Sequence, residues 1–209
     1  MPGALSLTLF AVKVLLLAGG VEAKENHHSH KVHLARAQAL FAARGVPAED
    51  VQVFWADGEA PGVDRAVVPE PAPEGLWLLG GTRLAKTLDP GPKLEHTPWP
   101  GARPATRTAI RRWLEEVGPT LKPGDTLLVA VTDHGQPDPQ GGADTRISLW
   151  GEELSVQQLM AALDAVPEDV RVQLWMSQCF SGGFADLRAR PNTCGAFSTT
   201  AERVAYGCY

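Results

Sequence analysis

A thiol and an imidazole, 45 residues apart, close two segments of the same shape. Residues 170–183 read VRVQLWMSQCFSGG. The apolar run from Val170 to Met176 opens with β-branched residues and predicts a buried strand. Ser177-Gln178-Cys179 leaves that strand, and Ser181-Gly182-Gly183 turns the chain. Residues 125–135, DTLLVAVTDHG, repeat the plan, with a strand ending in Asp133-His134-Gly135. If the two strands are parallel neighbours, Cys179 and His134 emerge at one edge of the sheet, at the carboxyl ends of strands where open α/β sheets place their sites. A thiolate is the reactive form of cysteine, and a nearby imidazole takes its proton or stabilises the anion. Each residue alone reads more plainly. Cysteine is among the most frequently buried residue types, and a strand-end histidine can simply bond backbone. The glycine-rich turn after Cys179 and the matching His-Gly end favour the pair. Asp133 stays outside it, because successive side chains on an extended strand point to opposite faces.

The flanking chain predicts the frame that would hold this pair. Residues 10–20, FAVKVLLLAGG, read as a first buried strand with a glycine turn. As a signal peptide the same stretch lacks a basic n-region, is interrupted by Lys13 and has no small-x-small cleavage site. It is too short to span a membrane. This reading favours a cytoplasmic over an exported protein, although a start site further upstream would leave room for an export signal. Residues 21–30 are a polar loop, and residues 32–44 carry Leu34, Ala37, Leu40 and Phe41 at helical spacing before the stop Gly45-Val46-Pro47. A strand at 51–57 completes a β-α-β start, which predicts a parallel sheet. Residues 58–104 are rich in proline and glycine, with apolar islands at 76–79 and around Trp99, and read as a long surface excursion, either a functional loop or a passive linker. Further helices are predicted at 106–117, capped by Thr106 or Thr108, and at 155–166, capped by Ser155. A short strand or hairpin arm is expected at 147–150, a turn or short helix at 184–188 and a last strand at 195–200. The whole chain, 1–209, reads as one domain.

Composition narrows the function classes. With 44% hydrophobic residues in 209, the chain suits one core of good size. A net charge of −5 and no basic stripe argue against nucleic acid or an anionic membrane as partner. Three cysteines do not make a disulfide framework. Cys194 and Cys208 would pair in an exported protein or stay reduced elsewhere. His27, His28, His30 and His33 are a candidate zinc cluster, but no cysteine or carboxylate accompanies them at ligand spacing, so a polar loop lining a cleft is the better reading. The six tryptophans read as core and loop anchors rather than a base-stacking platform.

Taken in order, Asp133-His134-Gly135, Ser177-Gln178-Cys179-Phe180-Ser181-Gly182, Ser198-Thr199-Thr200-Ala201 and Tyr206-Gly207-Cys208-Tyr209 resemble the legumain-like cysteine peptidases. The front half agrees: Ala18-Gly19-Gly20, Asn26 and Ser29-His30, Arg44-Gly45-Val46-Pro47, then Asp57. The resemblance spans nearly the whole chain, and Ser177-Gln178-Cys179 partly echoes the Gln-Ala-Cys signature of the wider caspase-like group. It implies an α/β, caspase-like three-layer sandwich, a mostly parallel sheet with helices on both faces. It also implies a cysteine endopeptidase, with Cys179 as nucleophile, His134 as general acid/base, and the backbone N–H groups of Gly135 and Cys179 as oxyanion donors.

The chain departs from that pattern in two places. Ser177 and Ser29 stand where legumain carries a glutamate and an arginine that shape its asparagine pocket, so asparaginyl specificity is not implied. His30, Gln178 and Ser198 are the expected pocket wall. The family's fold also continues past the point matching Tyr209, so what the resemblance implies for this chain is a fragment or a minimal form. The expected partner is a protein or peptide substrate, with no cofactor, no metal, no nucleic acid and no membrane span. Two other readings share the fold: a scaffold without hydrolysis, and a transpeptidase that resolves the same acyl-enzyme with an amine.

Overall fold

Strand β1 (Val12–Ala18) is apolar at every position but Lys13, as a strand buried on both faces must be. Its side chains divide by parity. Leu15 and Leu17 join one core, against Ile110, Trp113 and Leu114 of α2 (Arg107–Val117) and Leu159 and Leu163 of α3 (Val156–Leu163). Val14, Leu16 and Ala18 join a second core on the opposite face, against Leu34 and Phe41 of α1 (His28–Ala43). The computed structural model, which describes residues 10–68, 82–84 and 91–206, is therefore a three-layer α/β sandwich. Its central sheet has five parallel strands in the order β10-β9-β5-β1-β2, with β2 at Val51–Trp55, β5 at Thr126–Val131, β9 at Arg171–Met176 and β10 at Thr193–Phe197.

Among the described residues two smaller sheets decorate it. Within the proline- and glycine-rich excursion, β3 (Arg65–Val67) pairs antiparallel with β4 (Lys93–Glu95), a ladder that the sequence pattern did not predict. Arg103 returns the excursion to the core: its N–H donates to Val53 O at 2.9 Å and its carbonyl accepts from Trp55 at 3.0 Å. After β5, the segments β6 (Gly135–Gln136), β7 (Arg146–Leu149) and β8 (Glu152–Ser155) form a three-stranded antiparallel sheet, so the expected hairpin arm at 147–150 has partners on both sides. Ser155 caps α3 in a reciprocal box with Gln158, and Thr106 caps α2. The apolar island at 76–79 and the residues Gly207, Cys208 and Tyr209 lie outside the described residues.

Three expectations are corrected. The polar loop stops short of its predicted end, because α1 begins at His28 and carries His30 on its buried face, one turn before Leu34. Leu40 is not on that face and is exposed, leaving His30, Leu34, Ala37 and Phe41 as the inward stripe. Strand β9 is buried on one face only. Val172, Leu174 and Met176 enter the α2/α3 core, whereas Trp175 faces the α1 side and is 42% exposed, covered there only in part. The rings of Trp175 and Phe41 stack at 5.9 Å along that open side. Among the described residues no helix is long and apolar enough to cross a membrane.

Arg190 locks the entry to β9. Its guanidinium donates to Val166 O at 2.8 Å, Pro167 O at 2.6 Å and Val170 O at 3.4 Å. A lysine cannot reproduce that planar fork. Arg190→Lys is expected to lower stability by about 1.5–3 kcal/mol, measured as the urea unfolding midpoint; an unchanged midpoint would remove this role.

Candidate active site

The register of β5 on β9 decides where the site lies. Val131 is paired with Met176, the last residues of two parallel strands. His134 and Cys179 each follow three residues later, so the two segments deliver imidazole and thiol at the same height above the sheet. Both line one cavity of about 230 Å³, together with Ser29, His30, Ser177 and Ser198. The parallel adjacency expected from the two strand patterns is thus present.

Asp133 fixes the backbone around the imidazole. Its buried carboxylate accepts from the amides of Gly19 and Gly20, the latter at 2.9 Å, and from the amide of His134 at 2.6 Å. Burial pushes its carboxyl up to about 6, against these amide donors and the neighbouring His134, which favour the charged form. The ring of His134 is fixed from the other side. Nε2 lies 2.9 Å from the backbone carbonyl of Glu25, which can only accept, so Nε2 carries a proton and, in the neutral ring, Nδ1 is the acceptor. Glu25 escaped the sequence reading because a backbone carbonyl has no residue-type signature.

The thiol sits at a strained corner. Phe180, directly after Cys179, has φ of 58° in the left-handed region that non-glycine residues rarely adopt. Its amide donates to Arg203 O at 2.8 Å and its carbonyl accepts from Thr145 Oγ1 at 2.9 Å, which hold the corner in place. The 3₁₀ turn Ser181–Ala189 follows. Gly183 is packed against Thr145 and Ala143, where any side chain would collide. The sulfur itself is flanked by Ala205, whose N–H points to Sγ at 3.3 Å and whose carbonyl lies 3.7 Å from it.

Gly135 lies against the backbone carbonyl of Cys179, so closely that a Cβ would collide with that oxygen. Ser198 is held by the carbonyls of Ser177 and Gln178 at 3.0 and 3.2 Å, and its Oγ approaches Ser181 Oγ at 3.3 Å. His30 is buried with Nδ1 lacking any hydrogen-bond partner, and its ring centroid lies 5.2 Å from that of His134 and 5.7 Å from that of His27. Burial above all, then the nearby His134, His27 and His33, lowers its pKa to about 3. Gln178 is placed elsewhere than expected. Its side chain is buried beneath Gly135 and donates to Met176 Sδ at 3.5 Å, so it supports the corner and does not line the cavity. A larger apolar cavity of about 490 Å³, walled by Leu34, Ala130, Trp175 and Phe197, adjoins the site and shares Ser177 and Ser198 with it. Cys194 is a free, exposed thiol on β10.

No family profile and no curated protein matches the chain. Among solved structures it is similar to protein GSU0716 from Geobacter sulfurreducens, a structural-genomics target. That similarity has a TM-score of 0.49 at 17% identity, over 81% of this chain and 50% of the other. This chain therefore spans half the length of that structure.

Two substitutions read these contacts. His30 is protonated in the unfolded chain near 6.5 but in the folded one only near 3, so between those values the folded state binds fewer protons and loses stability as the pH falls. His30→Asn is expected to flatten the decline in urea midpoint between pH 7 and pH 5 relative to wild type; parallel declines would refute the assignment. Asp133→Asn would turn an amide NH₂ toward backbone donors, and is expected to cost about 1–3 kcal/mol in chemical denaturation, with an unchanged midpoint as the contrary result.

Proposed function

We propose that the protein is a cysteine endopeptidase of the legumain-like type, acting through Cys179 and His134. The observation that carries this reading is the shared cavity at the ends of β5 and β9, which Cys179 and His134 both line, with a backbone carbonyl holding Nε2–H of the imidazole. A histidine held in that tautomer presents a basic Nδ1, which is what a thiol needs to become a nucleophile.

In the proposed reaction, Sγ of Cys179 attacks the peptide carbonyl carbon while its proton passes to Nδ1 of His134. The tetrahedral oxyanion is received by the backbone N–H groups of Gly135 and Cys179. His134 then returns the proton to the leaving amine and a thioester remains on Cys179. Water, deprotonated by His134, attacks the thioester, releasing the acid and restoring the thiol. Glycine at position 135 suits this scheme, since a side chain there would push on the Cys179 carbonyl. Ser29 and Ser177 bring no charge to the cavity wall, His30 is kept neutral by burial, and the Asp133 carboxylate is taken up by the amides of Gly19, Gly20 and His134, so the pocket suits an uncharged P1 side chain.

One observation favours a second reading, a scaffold without turnover: the backbone of Ala205 flanks the thiol on both its donor and acceptor sides. Cleavage of a P1-diverse fluorogenic peptide library separates the two. Wild type is expected to cleave peptides with uncharged P1 residues. Cys179→Ala should lose at least about a thousandfold of that rate, and His134→Ala about a hundredfold or more. Equal cleavage by wild type and Cys179→Ala would refute the peptidase, and no cleavage by either would favour the scaffold.

A further inference from the structure

The imidazole of His134 belongs to a second constellation. Glu25, His27 and His134 each offer one ligand atom, and these atoms all lie within 4.8 Å of one another. The rings of His27 and His134 are 5.2 Å apart at 72°, and Nε2 of His134 already faces the Glu25 segment. Two imidazoles and a carboxylate form a donor set that zinc uses in sites with an open coordination position. Tetrahedral ligands on bonds of about 2.0 Å stand roughly 3.3 Å apart, a contraction that needs rotation of the exposed Glu25 side chain together with a small turn of the half-buried His27 ring toward His134.

The segment carrying Glu25 and His27 is fixed in advance. Asn26, between them, is fully buried. Its side chain donates to Asp64 O at 2.7 Å, its carbonyl accepts from Ala66 at 2.9 Å and its amide donates to Glu22 O at 3.0 Å. Two candidate ligands therefore flank an anchored residue, and the third is held by Asp133 at the end of β5. The spacing along the chain sets His27, His28, His30 and His33 aside as a zinc cluster for want of a cysteine or carboxylate at ligand spacing. The structure brings Glu25 and His134 to His27 and leaves His28 and His33 out of the group.

We propose that Glu25, His27 and His134 bind a divalent transition-metal ion, zinc by donor preference, through Nε2 of His134, and that the bound ion withdraws this imidazole from Cys179. Coordination at Nε2 displaces its hydrogen bond to the Glu25 carbonyl. The ring proton moves from Nε2 to Nδ1, with no net proton released. Nδ1 then has no lone pair for the thiol proton, so the metal-bound protein holds Cys179 as an unactivated thiol. The binding site stands on geometry alone; its inhibitory consequence rests on the proposed peptidase.

The full chain, stripped with a chelator, is titrated with Co²⁺ as a spectroscopic probe and then with Zn²⁺ as competitor. One equivalent of Co²⁺ is expected to bind with d–d absorption and no thiolate-to-cobalt charge-transfer band, unchanged in Cys179→Ala. Glu25→Gln and His27→Ala should each weaken binding at least about tenfold, of the order seen on perturbing metal sites; Glu25 is exposed, so its variant tests the site without a folding defect. Failure of wild type to bind, equal affinity in both variants, or a thiolate charge-transfer band would each overturn the proposal. In peptide cleavage, one equivalent of Zn²⁺ should suppress wild type, and Glu25→Gln should need at least about tenfold more, each compared with its own rate in chelator. Undiminished turnover with metal bound would overturn the inhibitory role. A protein that cleaves nothing in chelator yet binds Co²⁺ as described would sink the peptidase reading and uphold the site.

Discussion

A single buried carboxylate ties together the two chain crossings on which the site depends. Asp133, just past β5, accepts from the amides of Gly19 and Gly20 just past β1, and from the amide of His134 beside it. The first pair of bonds sets where the chain leaves β1, and so where the turn at residues 22–27 lies. That turn presents the Glu25 carbonyl to Nε2 of His134. The third bond sets the backbone of His134 itself. Both ends of the imidazole are therefore governed from Asp133. A carboxylate buried without such donors would cost several kcal/mol, and even with them burial raises its pKa to about 6.

The thiol side is built differently, from close backbone packing rather than from charge. Cys179 leaves β9 at the same level as His134 leaves β5, and the strained Phe180 turns the chain sharply behind it. Gly135 fits against the Cys179 carbonyl with no room for a side chain, while Gln178 fills the space below. Residues 198–205 close the corner through Ser198, Arg203 and Ala205. The sandwich supplies rigidity on the α2/α3 face, where the core is continuous, and leaves the face beside Trp175 open next to the site.

Much of this frame is legible in the residues because it follows from periodicity. The apolar runs of β1, β5 and β9 mark strands buried in a parallel sheet, and the β-α-β start follows from the spacing around Leu34 and Phe41. Threonine and serine caps mark α2 and α3 at the positions they occupy. The start of α1 is not marked this way: His27 makes no side-chain cap, so nothing in the sequence signals a helix beginning at His28. Leu40 fits helical spacing yet faces solvent, because the inward stripe is set by His30 and Leu34 one turn earlier. The ladders of β3 with β4 and of β6 to β8 are short and mixed in polarity, and short strands carry little pattern. In the site, the motifs and the resemblance they carry name His134, Cys179, Gly135, His30 and Ser198. The Glu25 carbonyl and the Glu25–His27–His134 grouping depend on contacts across more than a hundred residues, which no local pattern records.

The central claim is that His134 activates Cys179, and the exposed Cys194 provides a reference thiol in the same molecule. The most direct measurement is the rate of iodoacetamide modification of each cysteine at neutral pH in chelator, mapped by peptide mass. Cys179 is predicted to react at least about tenfold faster than Cys194, as an activated thiol does beside an ordinary one, and the ratio should collapse in His134→Ala. Equal rates in wild type, or a ratio untouched by the loss of His134, would contradict the account.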